Sequence, residues 1–324
     1  MARILVTGAT GLIGSNICRL LLQAGDEPRA LVRPGSDHEP LAAAGAELAL
    51  GDITSADDVL RASDGCVAIV NSAAVLGGTE QDLGEQRATN VSGARHVFDA
   101  GAKQGIRVVT LSTTTFFDHT SPLTETSPVA ADWSDDPYTV TKAATFAEAM
   151  RRVARHGADI VVIVPGGTFG PGLSVARSMT RTSFNRPLRS AISGKIHEYV
   201  TYPVPWVFAE DVASVAVSAI TRGERGHTYL AFGHEDAQST AAFLNVGCET
   251  AGVAHRVHDV TIDPDDPDAL ARYGPSLVSL AQRTFPVPWF DNRVTRERLG
   301  YAPRPIPDAM AITVEWMRRE GQIA

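Results

Sequence analysis

In this 324-residue sequence, the side chains best suited to moving a proton lie four residues apart, in Tyr138-Thr-Val-Thr-Lys142. On a helix that spacing puts both on one face, a turn apart. A free phenol titrates at ~10. A neighbouring ammonium favours the phenolate and draws the phenol toward working pH. Tyr138 could then give a proton to a carbonyl oxygen, or take one in the reverse direction. A Tyr-x-x-x-Lys pair is also ordinary helix surface, so it needs partners. Ser112-Thr-Thr-Thr115 closes an apolar run and offers a hydroxyl to hydrogen-bond the reacting oxygen, although hydroxyl-rich strand ends are common.

A second group supplies a place for a large anionic cofactor. Thr7-Gly-Ala-Thr-Gly-Leu-Ile-Gly14 sets glycines at 8, 11 and 14 directly between the strand-like Arg3–Thr7 and the helix-patterned Leu12–Ala24. Gly8 permits a tight turn, Gly11 lets backbone approach a pyrophosphate, and Gly14 lets helix pack on strand. The backbone around Thr10, Gly11, Leu12 and Ile13 then offers free N–H groups and a positive helix end to phosphates. A purely structural glycine turn is the plain alternative. The pattern predicts a nicotinamide dinucleotide. Its oxidised ring beside Tyr138 would further favour the phenolate, and Lys142 could hold its ribose hydroxyls.

In many such folds an acid ~20 positions on accepts the adenosine ribose hydroxyls. Here the second strand ends Leu31-Val-Arg33-Pro, with Ser36 close behind. A guanidinium suits a 2′-phosphate, so NADP(H) is expected over NAD(H); a solvated surface Arg33 is the alternative. Asp52, in Gly51–Asp52–Ile53 after the third strand, could meet the adenine amino group. Asn71–Ser72–Ala73–Ala74 follows the fourth, where small residues leave room for the dinucleotide. Asn90-Val-Ser is formally a glycosylation sequon, without bearing on a cytosolic chain.

These residues need a scaffold that brings strand ends together. Strand-like runs at Arg3–Thr7, Pro28–Val32, Glu47–Leu50, Cys66–Val70, Arg107–Leu111 and Asp159–Val164 alternate with helical spacing. Gln81–Gln104 reads as one long helix. Asp136 and Pro137 suit the N-cap and first position of another, ending near His156–Gly157. The apolar run Ile160–Val164 fits a strand buried on both faces. This alternation predicts an α/β fold, a Rossmann doubly wound parallel sheet with a smaller C-terminal substrate-binding lobe. The dinucleotide-binding domain is expected over 1–165, with a strand and helix around 206–222 rejoining it. Residues 166–324 are expected to be mainly the substrate lobe, with helices at Ala209–Thr221, Ser239–Ala251 and Pro307–Glu320 and strands near Thr228–Ala231 and Arg256–Val260.

The bulk numbers exclude some classes. A net charge of −8 argues against a general nucleic-acid partner. No run approaches the ~18 apolar residues of a membrane span, so no membrane partner is expected. Leu270–Phe285 is somewhat apolar but broken by Arg272, Pro275 and Arg283, and reads as core or pocket cover. Cys18, Cys66 and Cys248 are isolated, with neither metal nor disulfide spacing. They read as cytosolic thiols, so a cytoplasmic location and no metal are expected.

Together, Thr7–Gly14, Gly51–Ile53, Asn71–Ala74, Ser112–Thr113, Tyr138–Lys142 and Pro165–Gly172 resemble the extended short-chain dehydrogenase/reductase family, which includes nucleotide-sugar epimerases and dihydroflavonol-reductase-like enzymes. Weaker similarity at Val207–Val212 and Leu299–Pro303 extends the resemblance over nearly the whole chain. The resemblance implies that Thr113 is catalytic, with Thr114 the fallback, and that Pro165–Gly166 contacts the nicotinamide amide. It also implies a homodimer packed through Gln81–Gln104 and Asp136–His156. Three departures matter. Thr114 and Thr115 stand where the family's sugar dehydratases carry Asp-Glu, so no acid is available to expel water. Phe117–Asp118 replaces a usual Tyr-Gly. Arg33 resembles the NADPH-using reductase branch.

Phe116, Phe117, His119, Trp133, Phe169, Tyr199 and Trp206 are candidate walls of an apolar substrate pocket, or simply core. Arg177 and Arg181 have i,i+4 spacing and, with Arg186 and Arg189, could bind a nucleotide-sugar pyrophosphate or form a solvated basic face. Three readings follow: a reductase acting on a ketone or secondary alcohol, a nucleotide-sugar epimerase, and a non-catalytic NADP(H)-binding regulator. The last has no need of Thr113, Tyr138 and Lys142 together.

Overall fold

The computed structural model describes residues 1–77, 83–131, 136–263, 266, 268–273, 277–278, 281 and 285–324. Its first half follows the strand–helix rhythm of the sequence. Strands β1 (Arg3–Thr7), β2 (Glu27–Val32), β3 (Glu47–Leu50), β4 (Ala68–Asn71), β5 (Arg107–Leu111) and β6 (Ile160–Pro165) join a later strand, Thr228–Ala231, in one seven-stranded sheet. The order is β3-β2-β1-β4-β5-β6 and then Thr228–Ala231, with every pairing parallel. Chain direction across the sheet reverses between β1 and β4, which opens a crevice at their carboxyl ends.

Helices cover both faces. On one, α1 (Leu12–Gln23) lies beside a helix at Ala209–Arg222, and Ile17, Leu21, Val212 and Val215 pack with Ile4, Val6 and Val70. On the other, α2 (Glu39–Ala44) aside, α3 (Ala56–Ser63) and α5 (Ala94–Gln104) cover Leu5, Ile69 and Val108. Helix α6 (Pro137–His156) has the capping read from the sequence. Asp136 accepts from the Thr139 N–H at 3.1 Å, Pro137 opens the helix, and Gly157 ends it with φ +63°.

The long helix expected over Gln81–Gln104 is instead three pieces; Gln81 lies outside the described residues. A short helix α4 (Leu83–Gln86) leads into a π-helical turn, Arg87–Gly93, and then α5. The Asn90 carbonyl is taken by the Thr145 hydroxyl at 2.7 Å. Its side-chain amide bonds Val75 at both N–H (2.8 Å) and carbonyl (3.1 Å). Inserted side-chain bonds of this kind accompany π-bulges.

After β6 the chain builds a second lobe. Strand β7 (Gly167–Phe169) pairs with Trp206–Phe208, so the strand near 206 stays outside the main sheet. Of the expected 206–222 segment the helix packs on α1, and the strand that enters the sheet is Thr228–Ala231. The lobe's own core stacks Trp206 on Phe243, with ring centroids 3.9 Å apart, among Phe169, Leu188, Met310 and Trp316. No helix of the described residues is long and apolar enough to cross a membrane.

Candidate active site

The crevice above β1, β4 and β5 is a cleft of about 600 Å³ between the two lobes. Two glycines shape its cofactor end. Gly8 has φ +67°, and a Cβ there would lie 2.6 Å from the Ala73 nitrogen. A Cβ on Gly14 would lie 2.2 Å from the Gly8 carbonyl oxygen, so only glycine lets α1 sit this close to the strand end. Gly11 caps α1 without a side chain, and no acid occupies the first turn. The first-turn N–H groups and the positive helix end are therefore left to an external anion, the donor set a dinucleotide pyrophosphate needs.

Behind this turn a buried polar chain joins three strands in register. Thr7 Oγ1 donates to Asn71 Oδ1 at 2.7 Å, and Asn71 Nδ2 donates to Thr110 Oγ1 at 3.2 Å. Ser72 Oγ donates to the Thr7 carbonyl at 2.8 Å, fixing the loop after β4 against β1.

At the chemical end, Tyr138 enters from the first turn of α6, and its phenol hydrogen-bonds the Thr113 hydroxyl just beyond β5. The ring keeps an accessible edge toward the cleft, but protein surrounds its other sides. Burial pushes the phenol up to about 12, the Thr113 hydrogen bond lowers it, and Asp136 raises it. The protein's own field thus moves this proton opposite to the lowering expected from the sequence. The cause is burial, which acts on Lys142 as well. Its buried Nζ donates to the Leu111 carbonyl at 2.6 Å, and burial brings the ammonium down to about 8.

The cleft wall gathers Gly8, Gly11, Leu12, Ile13, Ser72, Ala74, Ser112, Thr113, Thr114, Tyr138, Pro165, Gly166 and Arg177 from the sequence-derived candidates. Ala73 backs Gly8, Thr10 sits half-buried in the turn, and Lys142 lies beneath the wall. Arg33 stands exposed at the end of β2, off that wall, and Ser36 Oγ donates to its carbonyl at 2.8 Å. Asp52 is turned into its own loop, accepting from the Thr54 N–H and hydroxyl, each at 2.8 Å. Ile53 is core beneath Gly93.

Three substrate candidates are corrected. Phe116, Phe169 and Trp206 are fully buried in aromatic clusters, because their apolar rings are worth more packed than wetted. Tyr199 is also off the wall, and Trp133 lies outside the described residues. The arginines do not form one face. The helix carrying Arg177 spans only Val175–Ser178, Arg181 and Arg186 are exposed, and Arg189 donates to Gln322 at 3.1 Å.

Sequence reasoning missed Phe184, Tyr202, Phe285 and Trp289, which line the cleft with His119. His119 stacks on Trp289 at 5.2 Å and contacts Phe285 at 5.5 Å, while its Nε2 lies 3.1 Å from the Thr114 carbonyl. The weak apolar signal of Leu270–Phe285 held part of this, since Phe285 ends that segment. Asn90 was visible only as a sequon; it holds both Val75 and α6 through Thr141 and Thr145.

Comparison with known proteins agrees with this geometry. The NAD dependent epimerase/dehydratase family matches residues 4–231. The chain belongs to that family. It is thus an NAD(P)-dependent enzyme of the extended short-chain dehydrogenase/reductase type. It is 25% identical to "Sterol demethylase protein B" of Methylococcus capsulatus, over 98% of this chain and 99% of that protein. A putative dihydroflavonol 4-reductase of Synechocystis sp. is likewise 25% identical, over 98% and 95% of the two chains. The crystal structure of gox2253 superposes with a TM-score of 0.86 and 26% identity, over 100% of both chains.

Proposed function

We propose that this enzyme is an NADPH-preferring reductase that interconverts a ketone and a secondary alcohol, with Tyr138 as general acid and base. The observation that carries the reading is the phenol of Tyr138, hydrogen-bonded to Thr113 on the wall of the cleft that the Gly8–Ile13 turn also lines. When bound, the dinucleotide supplies or removes a hydride. The chain's residues handle the proton and the geometry. Thr113 and Tyr138 both hydrogen-bond the substrate oxygen, and Tyr138 gives it a proton in reduction or removes one in oxidation. Lys142 holds positive charge beneath the site and serves the nicotinamide ribose. Gly8, Thr10, Gly11, Leu12 and Ile13 hold the pyrophosphate, with Ser72, Ala73, Ala74, Ser112, Pro165 and Gly166 along its length.

Two features favour a reductase over a sugar-nucleotide epimerase. The substrate side carries His119, Phe184, Tyr202, Phe285 and Trp289, surfaces suited to an apolar carbonyl compound. The arginines a sugar pyrophosphate would use are dispersed, with only Arg177 on the wall.

A screen of NADPH oxidation over ketones and sugar nucleotides tests the reaction. Net NADPH loss with a ketone is expected, and Tyr138→Phe should lower turnover ~10²–10⁴-fold while cofactor still binds. Unchanged turnover in that variant removes Tyr138 from the chemistry. For the cofactor, Arg33 stands free at the end of β2 to meet a 2′-phosphate. NADPH should bind more tightly than NADH, and Arg33→Asp should reverse the order; tighter NADH binding by the unmutated protein defeats the preference.

A further inference from the structure

We propose that Arg177 binds the pyrophosphate of the dinucleotide from a strap, residues 171–183, that crosses the cofactor end of the cleft. The inference rests on the dinucleotide reading above and adds a side-chain cation to a site otherwise built from backbone.

The strap is fastened to cofactor-side elements. Asn16 Nδ2, in α1, donates to the Pro171 carbonyl at 2.9 Å, and the Leu173 N–H donates to Ser15 Oγ at 3.2 Å. A Cβ on Gly172 would lie 3.0 Å from Ser15 Oγ and 3.4 Å from Leu12, so the backbone runs close over the start of α1. Ser174 then makes the second attachment. Its hydroxyl donates to the Asp37 carboxylate, in the loop that follows β2 and Arg33, and accepts from the Arg177 N–H at 3.2 Å. Farther along, a Cβ on Gly77 would lie 3.9 Å from both Arg181 Nη2 and Thr182 Cγ2. The strap therefore spans from the start of α1 to the loop after β4. Those are the two elements whose Gly11–Ile13 and Ser72–Ala74 segments meet the cleft.

Arg177 sits inside this span and lines the cleft together with Gly11, Leu12 and Ile13. It is the only Arg or Lys among the described lining residues, and no described carboxylate pairs with it. A half-buried guanidinium on one wall and an uncapped positive helix end on another are like charges that an intervening anion reconciles. A pyrophosphate meets both, taking backbone N–H groups on one side and guanidinium donors on the other. A substrate anion is the weaker choice, because the attachments that fix Arg177 run to α1 and the loop after β2, not to the aromatic wall.

The test uses the full chain and calorimetric titration with ADP-ribose, which carries the pyrophosphate without the nicotinamide or a 2′-phosphate. 2′-AMP, which lacks the pyrophosphate, is the control. Arg177→Met removes the charge and keeps most of the stem. Its ADP-ribose affinity should fall ~10–100-fold, its salt dependence should flatten, 2′-AMP binding should be unchanged, and Arg177→Lys should recover part of the loss. An unaltered ADP-ribose affinity in Arg177→Met overturns the clamp and leaves the dinucleotide reading intact, as does an equal loss for both ligands. Wild-type protein that binds neither NADPH nor ADP-ribose removes both.

Discussion

The phenol of Tyr138 is set up to stay protonated. Burial holds it up to about 12, against a hydrogen bond from Thr113 that acts the other way. In the proposed mechanism the reductive direction uses the protonated form, so its rate should be nearly flat from neutral into mildly alkaline pH. The oxidative direction uses the phenolate, whose fraction grows tenfold per pH unit below the pKa. Its rate should therefore climb with a slope of about one until Lys142 begins to lose its charge near pH 8. A steady-state pH profile in both directions checks this; equal profiles would show that the Tyr138 proton is not in the rate-determining step. Tyr138, Thr113 and Lys142 were legible as residues, yet the sign of the phenol's shift was not. Sequence spacing puts an ammonium one turn away, but only the fold shows how deeply both groups are buried.

At the scale of elements, the glycine turn was readable because its requirements are local. Gly8 needs a left-handed backbone, and Gly14 needs the absence of a side chain against the Gly8 carbonyl. Gly14→Ala should push α1 away from β1 and cost about 1–3 kcal/mol. A lower thermal midpoint together with weaker NADPH binding is the expected result; an unchanged midpoint would mean the helix yields without strain. The π-helical turn at Arg87–Gly93 was not readable, because its cause is tertiary. The Thr145 hydroxyl, from α6, takes the Asn90 carbonyl at 2.7 Å. The aromatic wall escaped for a similar reason. Phe184, Tyr202, Phe285 and Trp289 are scattered over a hundred residues with no period, while Phe116, Phe169 and Trp206 look equally suitable in sequence but were claimed by the cores.

At the scale of the whole molecule, the role proposed for Lys142 is set against stability. A lysine that titrates at about 8 in the fold, against 10.5 as a free group, is held charged at a cost. The sign follows from proton counts. Below pH 8 both folded and unfolded chains carry the proton, and the folded chain bears the full penalty. Between 8 and 10.5 only the unfolded chain keeps it, so the penalty fades as pH rises, and above 10.5 it is gone. Lys142→Met should thus raise the thermal midpoint at pH 7, by up to ~3 kcal/mol of stability, while losing activity. The gain should shrink toward pH 10. A variant less stable than wild type at pH 7 would contradict a buried charge at this position. The alternation that betrayed the six early strands carries this architecture. The helix at Ala209–Arg222 and the strand before it fell where the sequence placed them, but that strand pairs with β7 instead of joining the sheet, since β pairing depends on partners that a local pattern does not name.

That last strand also sets the order in which the protein can come into being. The open side of β6 is closed only by Thr228–Ala231, more than sixty residues farther along. Until a ribosome has delivered them, the nascent sheet presents a bare row of amides and carbonyls next to the most apolar stretch of the chain. The intervening residues include the strap and much of the substrate wall. The sheet can therefore be sealed only after the strap has been made, while Phe285 and Trp289 of the cleft wall are still to come.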